Sequence, residues 1–172
     1  NTAILKALLK RNSKRGAYLC FLDVSKAFDS VSHKAIVAAL ERLGVPPELI
    51  TYIICLYTDA KILVGDQYIV LGRGVRQGCP LSTFLFNAVI DMCLDGIEVD
   101  FGYSLSDVVS LAELFFADDG ILVSETRLGC KRLLDRLTDR FRRVGLVLNA
   151  RKSQSLALSY CGRSKKHFVD AA

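Results

Sequence analysis

The sequence predicts an α+β fold, a small antiparallel sheet backed by helices, and three observations carry that prediction. Short apolar runs of strand character are broken by turn residues at Gly65-Asp66-Gln67 and again inside Phe116-Ala117-Asp118-Asp119, the pattern of two hairpins. Capped stretches of helical periodicity lie between and after them. The resulting order, β-α-α-β-β-α-β-β-α-β, sets hairpins beside helices, whereas a doubly wound parallel sheet alternates single strands with crossover helices.

Taken in order, Ala3 to Arg15 reads as the end of an amphipathic helix with a basic face, and Ala17 to Leu22 as a strand closing on Asp23. Ser32 suits the N-cap of a helix running to Leu43, with Gly44 as its stop. Pro46-Pro47-Glu48 opens a second helix that ends near Thr58, proline supplying the first turn. Lys61 to Val64 and Tyr68 to Leu71 form the first hairpin, and Gly72 to Gly78 is a flexible loop. Ser82 is expected to cap a long helix reaching about Glu98. Leu111 to Phe116 and Gly120 to Val123 make the second hairpin. A helix from Thr126 places Leu134, Leu137, Phe141 and Val144 on one stripe, and Leu146 to Leu148 and Ser155 to Tyr160 close as strands.

At 172 residues the chain is one domain's worth, long enough to bury roughly two-thirds of its unfolded surface. An apolar content of 51% against 24% charged residues describes a globular core and excludes a disordered tail. No apolar run approaches membrane-spanning length, and the start at Asn1 without a leader reads as an intracellular piece cut from something longer. The cysteines (20, 55, 79, 93, 130 and 161) form no Cys-x-x-Cys pair, so buried free thiols in a reducing compartment are expected instead of a zinc site.

Net charge is +5, and its distribution is more telling than its sum. Residues 1–16 carry five basic and no acidic groups; residues 17–126 carry six basic against fifteen acidic; residues 127–166 carry twelve basic against two acidic. An acidic centre between basic flanks suits a metal site beside a polyanion track, although solvated basic helix faces would give the same count.

The acids themselves narrow the chemistry. Asp118 and Asp119 fall at a hairpin tip, where burial cannot neutralise them, and Asp23 ends the apolar run Tyr18 to Leu22. At about 4 Å and an effective dielectric of about 20, each like-charged pair costs roughly 4 kcal/mol. A fold that gathers such groups does so to hold a divalent cation, and magnesium needs only one or two protein carboxylates, water and substrate phosphates completing its shell. Five residues after Asp23 comes Phe28, an aromatic ring able to form a wall against a sugar. Taken alone, Asp23 reads better as a helix cap or surface acid and Phe28 as a core residue. In Gly72 to Asn87 the glycines let backbone approach a ligand, and Gln77 offers a two-way amide. In Gly145 to Ser153, Lys152 follows a short strand and could neutralise phosphate, donate a proton, or simply be solvated.

Together and in this order, Asp23-(x)4-Phe28-Asp29, Arg76-Gln77-Gly78-Cys79-Pro80-Leu81-Ser82, Phe116-Ala117-Asp118-Asp119 and Gly145-Leu146-x-x-Asn149-x-x-Lys152-Ser153 resemble the palm motifs of reverse transcriptases. The likeness is closest to retrotransposons lacking long terminal repeats and covers nearly the whole chain. The wording from Gly102 to Asp119 looks most like that of elements inserting at fixed sites in ribosomal-RNA genes.

The resemblance implies a right-hand polymerase palm, residues 1–172 being a partial reverse transcriptase domain with part of the fingers–palm junction and without most of the fingers and thumb. It implies RNA-directed DNA synthesis by two magnesium ions, or manganese in their place, with an RNA template, a DNA primer and deoxynucleoside triphosphates as partners, in the nucleus and away from membranes. Asp23, Asp118 and Asp119 would be catalytic and, with the Val24 carbonyl, metal-binding. Phe28 would gate against a ribose 2′-hydroxyl; Lys26, Gln77, Gly78 and Lys152 would line the nucleotide, Lys152 as proton donor; Arg76, Phe116 and Ala117 would meet primer or template. The family usually has proline where Thr83 stands, a small cost if Ser82 already caps the helix. A phosphoreceiver would carry its acidic pair after the first strand, the reverse of the order here. An RNA-templated RNA polymerase shares the palm but not the Gln-Gly-Cys-Pro-Leu-Ser wording, and a decayed, merely nucleic-acid-binding copy would be expected to have lost an acid.

Overall fold

The computed structural model describes residues 16–58, 61–64, 66–70, 72–76, 78–97, 99–106, 109–161 and 166–171. The helix expected over 3–15 and the site residue Gln77 lie outside them. In chain order the elements are β1 (Ala17–Leu22), α1 (Ala27–Ser30), α2 (His33–Arg42), α3 (Pro47–Thr58), β2 (Lys61–Val64), β3 (Gln67–Val70), α4 (Pro80–Leu94), a 3-10 turn (Val99–Phe101), β4 (Tyr103–Ser104), β5 (Ser110–Leu111), β6 (Glu113–Phe116), β7 (Asp119–Ser124), α5 (Arg127–Arg143), β8 (Gln154–Cys161) and β9 (Lys166–Ala171). They fall into two compact units.

The first unit takes residues up to Val24, Gly96–Asp139 and residue 148 onward. Its five-stranded sheet has the order β6-β7-β1-β8-β9, every neighbouring pair antiparallel. Strand alternation gives β1 two faces. Leu19 points to one, into a core with Tyr103, Val123 and Leu158. Cys20 and Leu22 point to the other and are buried with Leu122 and Ser124; there Cys20 hydrogen-bonds Cys130 of α5. That bond to Cys20, together with burial, pushes the Cys130 thiol well above its ordinary range, while the same bond holds the Cys20 thiol below its own. The Thr126 hydroxyl caps α5, accepting from Gly129 N at 2.9 Å. The buried stripe is Cys130, Leu133, Leu137, Phe141 and Val144; Leu134, expected in it, is only half-buried and its neighbour Leu133 takes the core position.

The second unit comprises Ser25–Asp95 and Arg140–Val147. Ser32 caps α2 as expected, its hydroxyl accepting from Ala35 N at 3.2 Å, and Gly44 leaves the helix with φ 73°. α2 packs on α3 and α4 through Ile36, Ala39 and Leu40, and α4 is buried along Leu85, Phe86 and Val89. Arg42 joins α2 to α4 by ion pairs to Asp91 at 2.7 Å and Asp95 at 3.1 Å.

Several boundaries need correction. Ser82 does not cap α4: the helix starts at Pro80, Cys79 is the N-cap residue, and Ser82 is buried in the first turn. Proline at the first helical position presets φ and lacks the N–H that would go unsatisfied there, so Pro80 sets the start. Ser82 therefore does not compensate as a cap for Thr83, which is exposed on the first turn. α4 stops at Leu94, before Glu98, the chain turning at Gly96 with φ 60°. Leu146–Leu148 is no strand, and only Leu148 bridges Val24. The short pair β4–β5 and strand β9 had no separate signal in the apolar pattern. Three of the described cysteines (Cys20, Cys93 and Cys130) are buried free thiols, while Cys55 is exposed and Cys79 half-exposed.

Candidate active site

The first unit carries the acids on one sheet edge. β1 and β7 pair with Leu22 opposite Gly120. Continuing that register by one residue sets Asp23 opposite Asp119, and directly opposed residues of an antiparallel pair project from the same face. Phe116 pairs with Asp119, so Ala117 and Asp118 form the two-residue turn between them. Asp118 and Asp119 are exposed, and the Asp23 side chain is 37% exposed. The acid-bearing face is that of Phe21 and Ile121, which are only partly buried, and not that of Cys20 and Leu122. Phe116, at the same tip, is 76% exposed.

The turn is strained. Ala117 has φ 55°, while Asp118 is not among the positive-φ residues, the pattern of a II′ turn whose first central position favours glycine. A side chain held there costs on the order of 1–3 kcal/mol and persists only where its surroundings over-determine it. The aromatic that precedes it and the acids that follow are thus presented on a rigid tip.

Asp23 is held by the segment 148–153. Its N–H donates to Ser153 Oγ at 3.2 Å, and its carbonyl accepts from Asn149 N at 2.8 Å. Asn149 Oδ1 accepts from Arg151 N at 3.2 Å, shaping the turn that delivers Lys152, whose Nζ lies 4.0 Å from Asp23 Oδ2. Asn149 and Ser153, which the motif leaves without a role, fix the backbone of the first acid. The ladder bonds around the Val24–Leu148 bridge run from Asn149 N to Asp23 O and from Ser25 N to Val147 O. The Val24 carbonyl is therefore outside that ladder and open to another partner.

Among the described residues no three His, Cys, Asp or Glu side chains close into a ready metal cage. The donor set fits a hard cation that brings its own ligands: two neighbouring carboxylates, one carbonyl outside the ladder, and open solvent where phosphate oxygens and water complete the shell. Glu113 on β6 is a different kind of acid. Its Oε2 is buried without a hydrogen-bond partner, and burial pushes its carboxyl above the usual carboxylate range.

The second unit holds the remaining described candidates. Lys26, exposed, adopts φ 46° as the N-cap residue of α1, leading into Phe28. Phe28 is half-buried and stacks on Phe86 of α4, ring centroids 4.7 Å apart and planes 19° apart. The glycine loop is pinned and not free: Gly74 N donates to Val31 O and Val75 N to Phe28 O, both at 2.7 Å, and His33 Nε2 meets Gly74 O at 3.1 Å. Gly74 has φ 86°, and a Cβ there would lie 2.8 Å from Asp29 O. Gly74→Ala should therefore destabilise the protein by about 1–3 kcal/mol or more. The check is the denaturant midpoint, and an unchanged midpoint would show the loop free to move. Arg76 and Gly78 are exposed beyond it. Thus the structure brings Asp23, Val24, Asp118, Asp119 and Lys152 to one sheet edge with Phe116 and Ala117, and ties the Phe28 segment to the loop that leads to Arg76 and Gly78.

Known proteins resemble this chain in sequence and in fold. The sequence matches the family described as reverse transcriptase (RNA-dependent DNA polymerase) over residues 2–167. It is 39% identical to the Retrovirus-related Pol polyprotein from type-1 retrotransposable element R2 of Nasonia vitripennis, aligned over 99% of this chain and 17% of that protein. It is 40% identical to the corresponding polyprotein from type-2 retrotransposable element R2DM of Drosophila melanogaster, again over 99% and 17%. The chain thus spans about one-sixth of the length of these relatives. The fold resembles apo telomerase from Candida tropicalis truncated from the C-terminal domain, with TM-score 0.67 and 19% identity over 98% of this chain and 36% of that one.

Proposed function

The chain belongs to the reverse transcriptase family, of the R2 retrotransposon type, and we propose that it supplies the catalytic palm of an RNA-directed DNA polymerase. The observation that carries this reading is the antiparallel register that sets Asp23 beside Asp119, with Asp118 in the adjoining turn. Two magnesium ions at such an edge, or manganese in their place, supply charge neutralisation and activation of the primer 3′-hydroxyl for in-line transfer of a nucleotide.

The chain's own residues do the positioning. Asp23 and Asp118 hold the ions, Asp119 assists, and the Val24 carbonyl adds one neutral ligand. Segment 148–153 fixes the Asp23 backbone, and so the point on the sheet edge from which its carboxylate extends. Lys152, paired with Asp23 at 4.0 Å and 70% exposed, is placed to give a proton to departing pyrophosphate. Phe116 and Ala117 meet the primer end, Lys26 and Gly78 meet the nucleotide with Gln77, Arg76 meets the template, and Phe28 screens the sugar. RNA template, DNA primer and deoxynucleoside triphosphates are the partners, and the nucleus is the site of action because an R2-type element acts on chromosomal DNA. Among the described residues no helix is long and apolar enough to cross a membrane.

The direct test is primer extension by the full-length protein on an RNA template with magnesium. RNA binding without extension would favour a decayed binding copy, against which the three intact acids stand. A second expectation follows from the one-sixth share of the relatives' length: fingers and thumb are proposed to lie outside this chain. Residues 1–172 alone should bind nucleic acid weakly and polymerise little. Binding through the basic segments should weaken steeply with salt, because it comes from released counterions. Filter binding across a salt series reads the slope, and processive synthesis by the isolated chain would overturn the division.

A further inference from the structure

We propose that Tyr57 of α3 is a positioning residue for Arg76 on the nucleotide side, acting through Ser82 and Cys79 on the Arg76 carbonyl. The proposal rests on the polymerase reading above, since it needs Arg76 to meet the incoming nucleotide or its template base.

Tyr57 is 3% exposed, so its ring is core, yet its hydroxyl is directed at the start of α4. It lies 3.1 Å from Ser82 Oγ and donates to Cys79 Sγ at 3.6 Å. Ser82, 2% exposed, donates its own hydroxyl proton to Arg76 O at 2.5 Å. A serine hydroxyl has one proton. With that proton committed to Arg76, Ser82 meets Tyr57 as an acceptor, so the one Tyr57 proton is shared between Ser82 Oγ and Cys79 Sγ, and through Ser82 the contact reaches the Arg76 carbonyl. The same phenol touches the N-cap residue Cys79, three positions before Ser82 and one beyond Gly78. Cys79 N also donates to Arg76 O, at 3.3 Å. Arg76 and Cys79 are therefore both tied to one buried hydroxyl.

Other arrangements would hold α4 more cheaply. Pro80 already sets the helix start, and a buried hydroxyl that satisfied no one else would cost about 1–3 kcal/mol. A core-filling phenylalanine would serve packing alone. What the hydroxyl adds is a fixed place for the Arg76 carbonyl, and with it the direction of Arg76.

Two readouts in the full-length protein separate positioning from packing. In the first, alkylation of Cys79 by iodoacetamide is followed against pH by peptide mass spectrometry. The Tyr57 hydroxyl, then the Leu81 backbone N–H and Ser82, hold the Cys79 thiol below its ordinary range, and Arg76 is the charged group facing Tyr57. Tyr57→Phe keeps the ring and removes the hydroxyl, so the alkylation midpoint should move to higher pH. In the second, steady-state primer extension should show the Tyr57→Phe KM for the nucleotide raised about fivefold, the worth of one net hydrogen bond, with kcat changed less. Ser82→Ala, which cuts the same contact at its other member, should raise KM similarly. A lowered melting temperature with unchanged KM and an unmoved Cys79 midpoint would make Tyr57 a packing residue and overturn the proposal. An unchanged KM in both variants overturns it even if the thiol midpoint moves. No extension by the unaltered protein would instead overturn the polymerase reading itself, and this inference with it.

Discussion

Asp118→Asn in the full-length protein should abolish primer extension while leaving RNA binding nearly intact. Asparagine keeps the shape of the side chain and removes the charge that a magnesium ion requires. The structure makes this substitution unusually clean. Asp118 is exposed in a two-residue turn between Phe116 and Asp119, so no core contact depends on its carboxylate. The strain of the turn lies at Ala117, with φ 55°, and asparagine next to it imposes nothing new. Since one electrostatic donor to a developing charge is commonly worth about 10^2–10^3 in rate, losing a carboxylate that would hold the metal should cost roughly 10^3-fold or more. Binding should hold because phosphate contacts rest on basic groups, which cluster in residues 1–16 and 127–166. Extension rates and RNA affinity measured on the same preparation decide it. An equal fall in both would mean that Asp118 holds the fold.

How far the sequence revealed this site depended on what kind of physics each residue obeys. β1, the second hairpin and the acids at its tip were legible because strand alternation and turn chemistry are local. Ser32 as a cap was legible for the same reason, its acceptor lying within one turn. Ser82 was misread because a serine at a helix start has two possible duties. Pro80 had already fixed the start, which freed the Ser82 hydroxyl to face Arg76 and Tyr57. The roles of Asn149 and Ser153 were hidden because they reach Asp23 across more than a hundred residues, and no periodicity reports such a bond. The same holds for the glycine loop, expected to be flexible, which three contacts to Phe28, Val31 and His33 tie down.

Phe28→Val should lower discrimination against ribonucleotides by about 10- to 200-fold, the range that one or a few carbon atoms decide in an apolar wall. The gate reading asks for a ring that is fixed, since a mobile one would yield to a hydroxyl. Phe28 meets that demand: it is half-buried, and its inner face stacks on Phe86, which is fully buried in α4. Val75 N donates to the Phe28 carbonyl at 2.7 Å, so the backbone is held as well. A stacked aromatic pair is worth about 0.5–1.5 kcal/mol beyond its buried area, and valine forfeits it, so some loss of stability accompanies the gain in access. The two effects part in a second variant. Phe86→Leu loosens the support while leaving the Phe28 ring in place, and should lower discrimination less than Phe28→Val for a comparable loss of stability. Incorporation ratios for deoxy- and ribonucleotides, measured with melting temperatures for both variants, test this. If discrimination falls only in proportion to stability in both, or does not fall in Phe28→Val, then Phe28 is a core residue and the sugar is screened elsewhere.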